Sequence, residues 1–248
     1  MKNIVLETII DVFGMENIEE IKEAQFMRSI IIDTETTGFT EPRPIEIAWL
    51  GLKDIASLEI VDEFEQRYNP EKPIEFGAMA AHHILDEDVA DKPSYKTFEL
   101  PEETEYIIGH NIDYDWEAVG RPDVKRIDTL ALSRRIWKDA GSHSLGALMY
   151  MLAKDKRMVR ERLKTAHSAI TDVKMCRFVL SKIVRELGVE SWDNLWRISE
   201  EYRIPETMPF GKHKGTLIGE LPPDYVEWAV TNLKDIDPYL KKALLSAV

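Results

Sequence analysis

Only one cysteine, Cys176, occurs in 248 residues. That excludes an internal disulfide and any zinc site built on paired thiolates, and it fits a reducing compartment. Cys176 itself reads as a small core side chain. No uninterrupted apolar run reaches the roughly 18 residues that a membrane-spanning helix needs. The apolar start, Ile4 to Phe13, is broken by Glu7 and Asp11, which a secretory leader does not tolerate. A cytoplasmic protein without membrane association is therefore expected. Basic residues are also scarce: 32 Lys and Arg stand against 45 Asp and Glu, a formal net charge of −13. Long, tight, sequence-reading contact with a polyanion needs positive surface, so that class of function is disfavoured. A carboxylate cluster that takes up divalent cations would account for part of the excess. Neither an internal repeat nor a low-complexity tract is present.

What is there suffices for one well-buried core. With 44% hydrophobic residues, the chain supports a core unit of about 150 to 200 residues plus a small appendage. Three spans are expected: 1–27, 28–204 and 205–248. In the first, Leu6, Ile9, Ile10 and Phe13 share a helical face, Gly14 stops that helix, and Asn17 with Glu20 forms a capping box for a second. Such helices offer a surface for a protein partner or self-association. Ser29 to Asp33, Ile45 to Leu52 and Leu58 to Tyr68 read as successive strands of a meander. Tyr106 to Ile108 and Val124 to Ile127 are each followed by a helical pattern, and helices dominate from Leu145 onward. The fold class is α/β, a mixed sheet flanked by helices. A Gly- and Pro-containing segment follows a break near Pro205.

Chemistry concentrates in three short segments. In Ile30-Ile31-Ile32-Asp33-Thr34-Glu35-Thr36-Thr37-Gly38, two acids lie two apart at a strand end, and a period of two puts both on one face. An isolated Asp-x-Glu is usually a solvated strand end. Three preceding isoleucines make this strand central, and open α/β sheets place their sites at the C-terminal ends of such strands. The second segment, Gly109 to Trp116, runs from strand into helix. Asp113 and Asp115 point about 200° apart on a helix, so one of them faces the site. Asp115 is the choice, because Asp113 is explained by favourable charge in the first helical turn. Asn111 either caps this helix or positions substrate. The third segment is Thr165 to Asp172. His167 and Asp172 fall on different faces of any one helix, so the helix is expected to start near Ser168, with His167 on the loop before it. A histidine there can accept a proton from water while Asp172 is fixed on the helix. Glu46 interrupts an apolar strand, and is either paired with an arginine or borders the acidic cluster.

The ordered set Asp-x-Glu, Asn-x-x-Tyr-Asp and His-x-Ala-x-x-Asp resembles the DEDDh exonucleases. Intermediate features, Met79 to Ile84 and Arg126 to Leu130, belong to the same likeness, which spans roughly residues 28 to 185. The resemblance implies an RNase H-like fold with a five-stranded sheet and 3′→5′ hydrolysis of nucleic acid to 5′-mononucleotides. It implies two Mg²⁺ or Mn²⁺ ions: Asp33 bridging both, Glu35 and Asp172 completing one site, and Asp115 holding the second ion largely through water. His167 would be the general base. Thr36, Thr37 and Gly38 would lie against the terminal nucleotide and Met79 to Ile84 would wall its base, which brings His83 to the substrate. On residue chemistry alone, His82 and His83 read as packing or capping groups.

Two basic groups remain. Lys154, Lys156, Arg157, Arg160, Arg162 and Lys164 precede His167 and read either as a solvated face or as a contact for a nucleic-acid backbone. The run Met208 to Gly215, with Pro223 to Trp228, resembles the C-terminal module of exonuclease X-like proteins, which favours DNA over RNA as the partner carrying the free 3′ end. In it Lys212 and Lys214 could face a phosphate, with Phe210 or Trp228 available for stacking; the alternative is a Gly-rich turn packed on two helices. An RNA-directed exonuclease and a non-catalytic recruitment protein are the competing readings.

Overall fold

The computed structural model describes residues 28–165, 168–233 and 236–247. The two helices expected within 1–27, and His167, lie outside the described residues. Five strands form one sheet: β1 (Ser29–Thr36), β2 (Pro44–Leu52), β3 (Ile60–Arg67), β4 (Tyr106–Gly109) and β5 (Lys125–Asp128), in the order β3-β2-β1-β4-β5. β1 is antiparallel to β2 and parallel to β4, while β2–β3 and β4–β5 pair antiparallel and parallel respectively. This is the mixed five-stranded sheet that the resemblance implied, and the direction of pairing switches at β1.

The sequence dictates which strands are central. β2 is buried at all nine positions, because both of its faces are covered. β3, by contrast, is exposed at five of its eight positions and half-buried at the others, as an edge strand should be. On β1 the isoleucines divide between two cores. Ile31 packs with Ala48, Leu50, Val173, Cys176 and Val179, whereas Ile30 and Ile32 pack with Ile47, Trp49, Ile107 and Ile112. Each fully buried isoleucine contributes about 1.5–3 kcal/mol. Cys176 is buried, as a small core side chain.

Ten helices are described: α1 (Phe76–His82), α2 (Asp86–Val89), α3 (Ile112–Ala118), α4 (Thr129–Ile136), α5 (Leu145–Leu152), α6 (Lys156–Arg162), α7 (Ala169–Leu187), α8 (Trp192–Tyr202), α9 (Pro223–Asn232) and α10 (Pro238–Leu245). None is long and apolar enough to cross a membrane among the described residues. α7 runs over the Ile31 face of the sheet, and α3 supplies Ile112 to the opposite face. α9 and α10 enclose a separate small core of Met208, Ile218, Leu221, Val226, Ala229, Leu240 and Leu244. Polar links tie this C-terminal module to the rest. Arg135 donates to the Ile204 carbonyl at 2.7 Å and pairs with Glu206. The Tyr239 hydroxyl donates to Glu200 Oε1 at 2.8 Å, and the Arg203 guanidinium lies 4.4 Å from the Tyr239 ring centroid.

Candidate active site

The division of β1 between two cores sets the geometry of its acidic end. By the period of two, Asp33 and Glu35 continue the Ile31 face toward α7, and Thr34 continues the Ile30 and Ile32 face toward α3. α7 begins after Ser168, which accepts the Asp172 backbone N–H through its carbonyl at 3.1 Å. Asp172 thus stands in the first turn of α7, where the helix dipole favours a negative charge. Asp33, Glu35 and Asp172 each bring one carboxylate oxygen into a group whose members lie within 4.8 Å of one another.

Asp115 approaches β1 from the other side. It is buried, and its Oδ1 accepts hydrogen bonds from the Thr34 backbone N–H and hydroxyl, both at 2.8 Å. Thr34 therefore orients Asp115, a role that the bare Asp-x-Glu pattern did not signal. Asp113, two residues earlier, faces away and pairs with Arg126 and Arg203. Beyond first-turn charge, it is thus a partner for Arg203, whose side chain is only 4% exposed.

Glu46 satisfies both of the readings open for it. It lies opposite Glu35 across the β1–β2 ladder. Its Oε2 receives Arg67 Nε at 2.9 Å, and its Oε1 receives the Ala169 backbone N–H at 3.1 Å. Glu46 consequently fixes the start of α7, and through it Asp172.

Such crowding of carboxylates is costly unless positive charge arrives. Burial pushes the Asp33 carboxyl well above the usual range, and the neighbouring Asp115, Asp172, Glu35 and Glu46 push it further. Burial first, and then Asp172, Glu46 and Asp115, raise Glu35 to about 8. Burial raises Asp115 to about 7 against the opposing Thr34 hydrogen bonds. A set of hard oxygen donors held in this state fits Mg²⁺ or Mn²⁺, whose charge would draw all of them into the ionised form.

The loop after β1 is built tightly. The Tyr114 hydroxyl is hydrogen-bonded to Thr36 Oγ1 and donates to the Gly38 carbonyl at 3.1 Å. Gly38 has φ +138°, and a Cβ there would lie 2.2 Å from the Glu75 carboxyl carbon. Thr37 is fully buried, its N–H donating to the Arg43 carbonyl at 3.0 Å. Tyr114 and Glu75 were not singled out from sequence, although Tyr114 lies within the Asn-x-x-Tyr-Asp pattern.

The histidines beside this loop have structural roles. His82 is buried: its Nδ1 accepts the Ile84 N–H at 3.0 Å, and its Nε2 lies 3.3 Å from the Thr36 carbonyl. His83 ends α1 in a left-handed conformation, φ 60°, and its N–H donates to the Met79 carbonyl at 2.8 Å. Asn111 corrects one expectation. It occupies the N-cap position of α3, but at φ 75° its side chain makes no capping bond. A capping side chain reaches the first turn from an extended backbone, which Asn111 does not have. Its backbone N–H donates instead to Asp128 Oδ1 at 3.0 Å.

The basic stretch lies on α6 and just either side of it. Lys156 and Arg160 are solvent-exposed, and Arg160 and Lys164 both pair with Glu161. Lys212 and Lys214 are exposed at a tight turn of the C-terminal module.

The different surroundings of the two acids on α3 give separable outcomes. Asp113→Asn is expected to lower stability by about 1–3 kcal/mol, because it withdraws charge from a buried guanidinium. Stabilisation by Mg²⁺ should survive in that variant. Asp115→Asn should leave the metal-free melting temperature undiminished and weaken the Mg²⁺-induced rise. Thermal melts with chelator and with Mg²⁺ compare them, and an equal loss of metal response in both variants would contradict the assignment.

The chain is similar to known proteins. A family model described as Exonuclease matches residues 30–180, and a second, described under quorum-sensing-regulated virulence factors, matches residues 202–232. Exodeoxyribonuclease 10 of Escherichia coli is 27% identical over 226 residues, covering 86% of this chain and 96% of the relative. DNA polymerase III PolC-type of Staphylococcus haemolyticus is 31% identical over 189 residues, covering 68% of this chain and 12% of that one. Among solved structures, Exonuclease X in complex with 5′ overhanging duplex DNA superposes with a TM-score of 0.56 at 26% identity, covering 69% of this chain and 99% of that chain. Escherichia coli Exonuclease I in complex with a dT13 oligonucleotide shares the fold, with a TM-score of 0.51 at 16% identity over 64% of this chain and 41% of that one.

Proposed function

This chain belongs to the exonuclease family, and we propose that its substrate is DNA, degraded from a free 3′ end to 5′-mononucleotides with two bound divalent cations. The chain is a 3′→5′ exonuclease with an RNase H-like fold. The observation that carries the two-cation reading is the convergence of Asp33, Glu35 and Asp172 at the end of β1, with the Asp33 and Glu35 carboxyls pushed above their ordinary pKa. Asp33, Glu35 and Asp172 would hold one cation, and Asp33 with Asp115 the second. When bound, the cations supply positive charge to the phosphate as negative charge builds on it, and make water more acidic.

The chain's own residues do the rest. Thr34 fixes the Asp115 carboxylate, and Glu46 fixes the helix that carries Asp172. Thr36, Thr37 and Gly38, braced by Tyr114, form the wall against which the terminal nucleotide lies. Asn111 and His83 border the same nucleotide, and the Lys156, Arg160 and Lys164 surface takes the backbone behind it. His167, close in sequence to Asp172, accepts the proton of the attacking water, a task that an imidazole suits near neutrality. DNA is favoured because Exodeoxyribonuclease 10 and an Exonuclease X bound to duplex DNA each align along nearly their whole length.

The test offers 3′-recessed, single-stranded and blunt DNA, with matched RNA, to wild type, His167→Ala and Asp33→Asn in Mg²⁺ or Mn²⁺. His167→Ala is expected to slow hydrolysis by about 10²- to 10⁴-fold while Mg²⁺ still raises the melting temperature. Near-normal hydrolysis by His167→Ala would remove it as the base. RNA degraded much faster than DNA would make the protein a ribonuclease.

A further inference from the structure

The C-terminal module carries a cleft that the chemistry at β1 does not use. Tyr225 and Trp228, one turn apart on α9, have ring centroids 5.7 Å apart and planes 29° from parallel. Trp228 remains 50% exposed, and Phe210 is 45% exposed. They line a cavity of 600 Å³ together with Gly211, Lys212, Asp224 and Leu233. The small core of this module closes on Met208, Ile218, Val226 and Leu240 without Trp228 or Phe210. Two large aromatic faces are thus held open to solvent, although burying them would favour folding.

Charge distinguishes this cleft from an ordinary apolar groove. The turn from Phe210 to Gly215 contains Lys212, His213 and Lys214 and no acid, in a chain of net charge −13. Gly211 and Gly215 bracket the turn at φ 71° and 84°, conformations that glycine adopts without strain and that hold both lysines outward. Lys212 Nζ stands 5.5 Å from the Tyr225 ring centroid, at the rim of the aromatic surface. Asp224 is the acid in the lining; it repels phosphate from its own side and leaves the Lys212 side for the anion. An aromatic floor with cationic donors at one edge matches a nucleobase and its phosphate.

We propose that this cleft binds an unpaired nucleotide of the nucleic acid under attack, its base stacked on Trp228 and Phe210 and its phosphate met by Lys212. The proposal rests on the exonuclease reading and extends it: the module grips single-stranded nucleic acid away from the reacting 3′ end. An acidic enzyme thereby gains a local hold on its substrate by stacking, which net charge does not oppose as it opposes phosphate contacts.

The experiment measures binding of a fluorescent single-stranded DNA of about 16 nucleotides to the full chain carrying Asp33→Asn, so that the probe survives. Adding Trp228→Ala or Phe210→Ala is expected to weaken binding by about 5- to 150-fold, the equivalent of about 1–3 kcal/mol per stacked base. Trp228→Phe should restore most of the affinity. An abasic oligonucleotide of equal length and charge should bind more weakly and be insensitive to Trp228→Ala. Unchanged affinity in a Trp228→Ala protein that melts like its parent overturns the proposal. Equal losses for base-bearing and abasic DNA also overturn it, since stacking would then play no part. Failure of the nuclease reading would show separately, as absence of dinucleotide hydrolysis by the wild-type chain.

Discussion

Asp33→Asn is expected to abolish hydrolysis and, in the metal-free protein, to raise the melting temperature. Asp33 sits at the end of the central strand among Asp115, Asp172, Glu35 and Glu46, all of which oppose its ionisation. Asparagine preserves its shape and removes the need either to ionise among those acids or to take up a proton on folding. The fold is relieved of repulsion that only bound cations would otherwise offset, a gain of about 0.5–2 kcal/mol by comparison with other stabilising changes at active sites. For a chain of this size, that is about 2–4 °C per kcal/mol. Hydrolysis should suffer in the opposite direction. Charge stabilisation by bound cations is worth several kcal/mol in the transition state, and about 1.4 kcal/mol is tenfold in rate, so the loss is on the order of 10³-fold or more. Single-turnover rates with Mg²⁺ and melting curves in chelator read the two effects separately. Activity within about tenfold of wild type would remove Asp33 from the site. A lower melting temperature in chelator would show that its charge stabilises the fold.

The parts of this arrangement that were legible in the sequence are those governed by local periodicity. Ile30-Ile31-Ile32 before Asp-Thr-Glu announced a central strand and placed both acids on one face, and Ser168 before an apolar helical pattern announced the start of α7. What local pattern could not supply was which face each helix covers. Thr34 became the ligand of Asp115 only because α3 docks on the Ile30 and Ile32 side, and Glu46 gained its second role only because α7 begins beside it. The pairing of Asp113 with Arg203 likewise joins segments distant along the chain, and it turned an expected first-turn charge into an anchor near the C-terminal module. At Asn111 the residue type left capping and substrate positioning both open, and a left-handed backbone at the strand-to-helix corner removes the capping bond. The aromatic residues of the module were visible individually, whereas the cleft between them depends on how α9 sits against the Gly211–Gly215 turn.

Removal of divalent cations should make stability fall as pH rises from about 7 to about 8.5, and added Mg²⁺ or Mn²⁺ should oppose that fall increasingly over the same interval. Glu35 is raised to about 8 and Asp115 to about 7, and Asp33 is raised as well. In the unfolded chain these carboxyls titrate near about 4. Between the two sets of values the folded protein holds protons that the unfolded chain has released. Stability from this source is complete at low pH and is lost as pH climbs through the folded-state values. Buried histidines act in the opposite sense: burial lowers His110 and His82 from 6.5, so the unfolded chain binds protons that the fold refuses. Above about pH 7 histidines are neutral in both states, and the remaining slope belongs to the carboxyls. One proton corresponds to at most about 1.4 kcal/mol per pH unit, hence a drop of about 2–4 °C. Cations compete with those same protons, so their binding must release protons and tighten as pH rises. Melting curves with chelator and with Mg²⁺ across this interval, together with calorimetric titration of Mn²⁺ in two buffers of different ionisation enthalpy, measure both effects. A chelated protein with a flat melting temperature, or a metal-induced rise that shrinks with pH, would contradict the account. Asp33→Asn should flatten the slope in chelator, because the proton that Asp33 itself holds in the fold and releases on unfolding is gone.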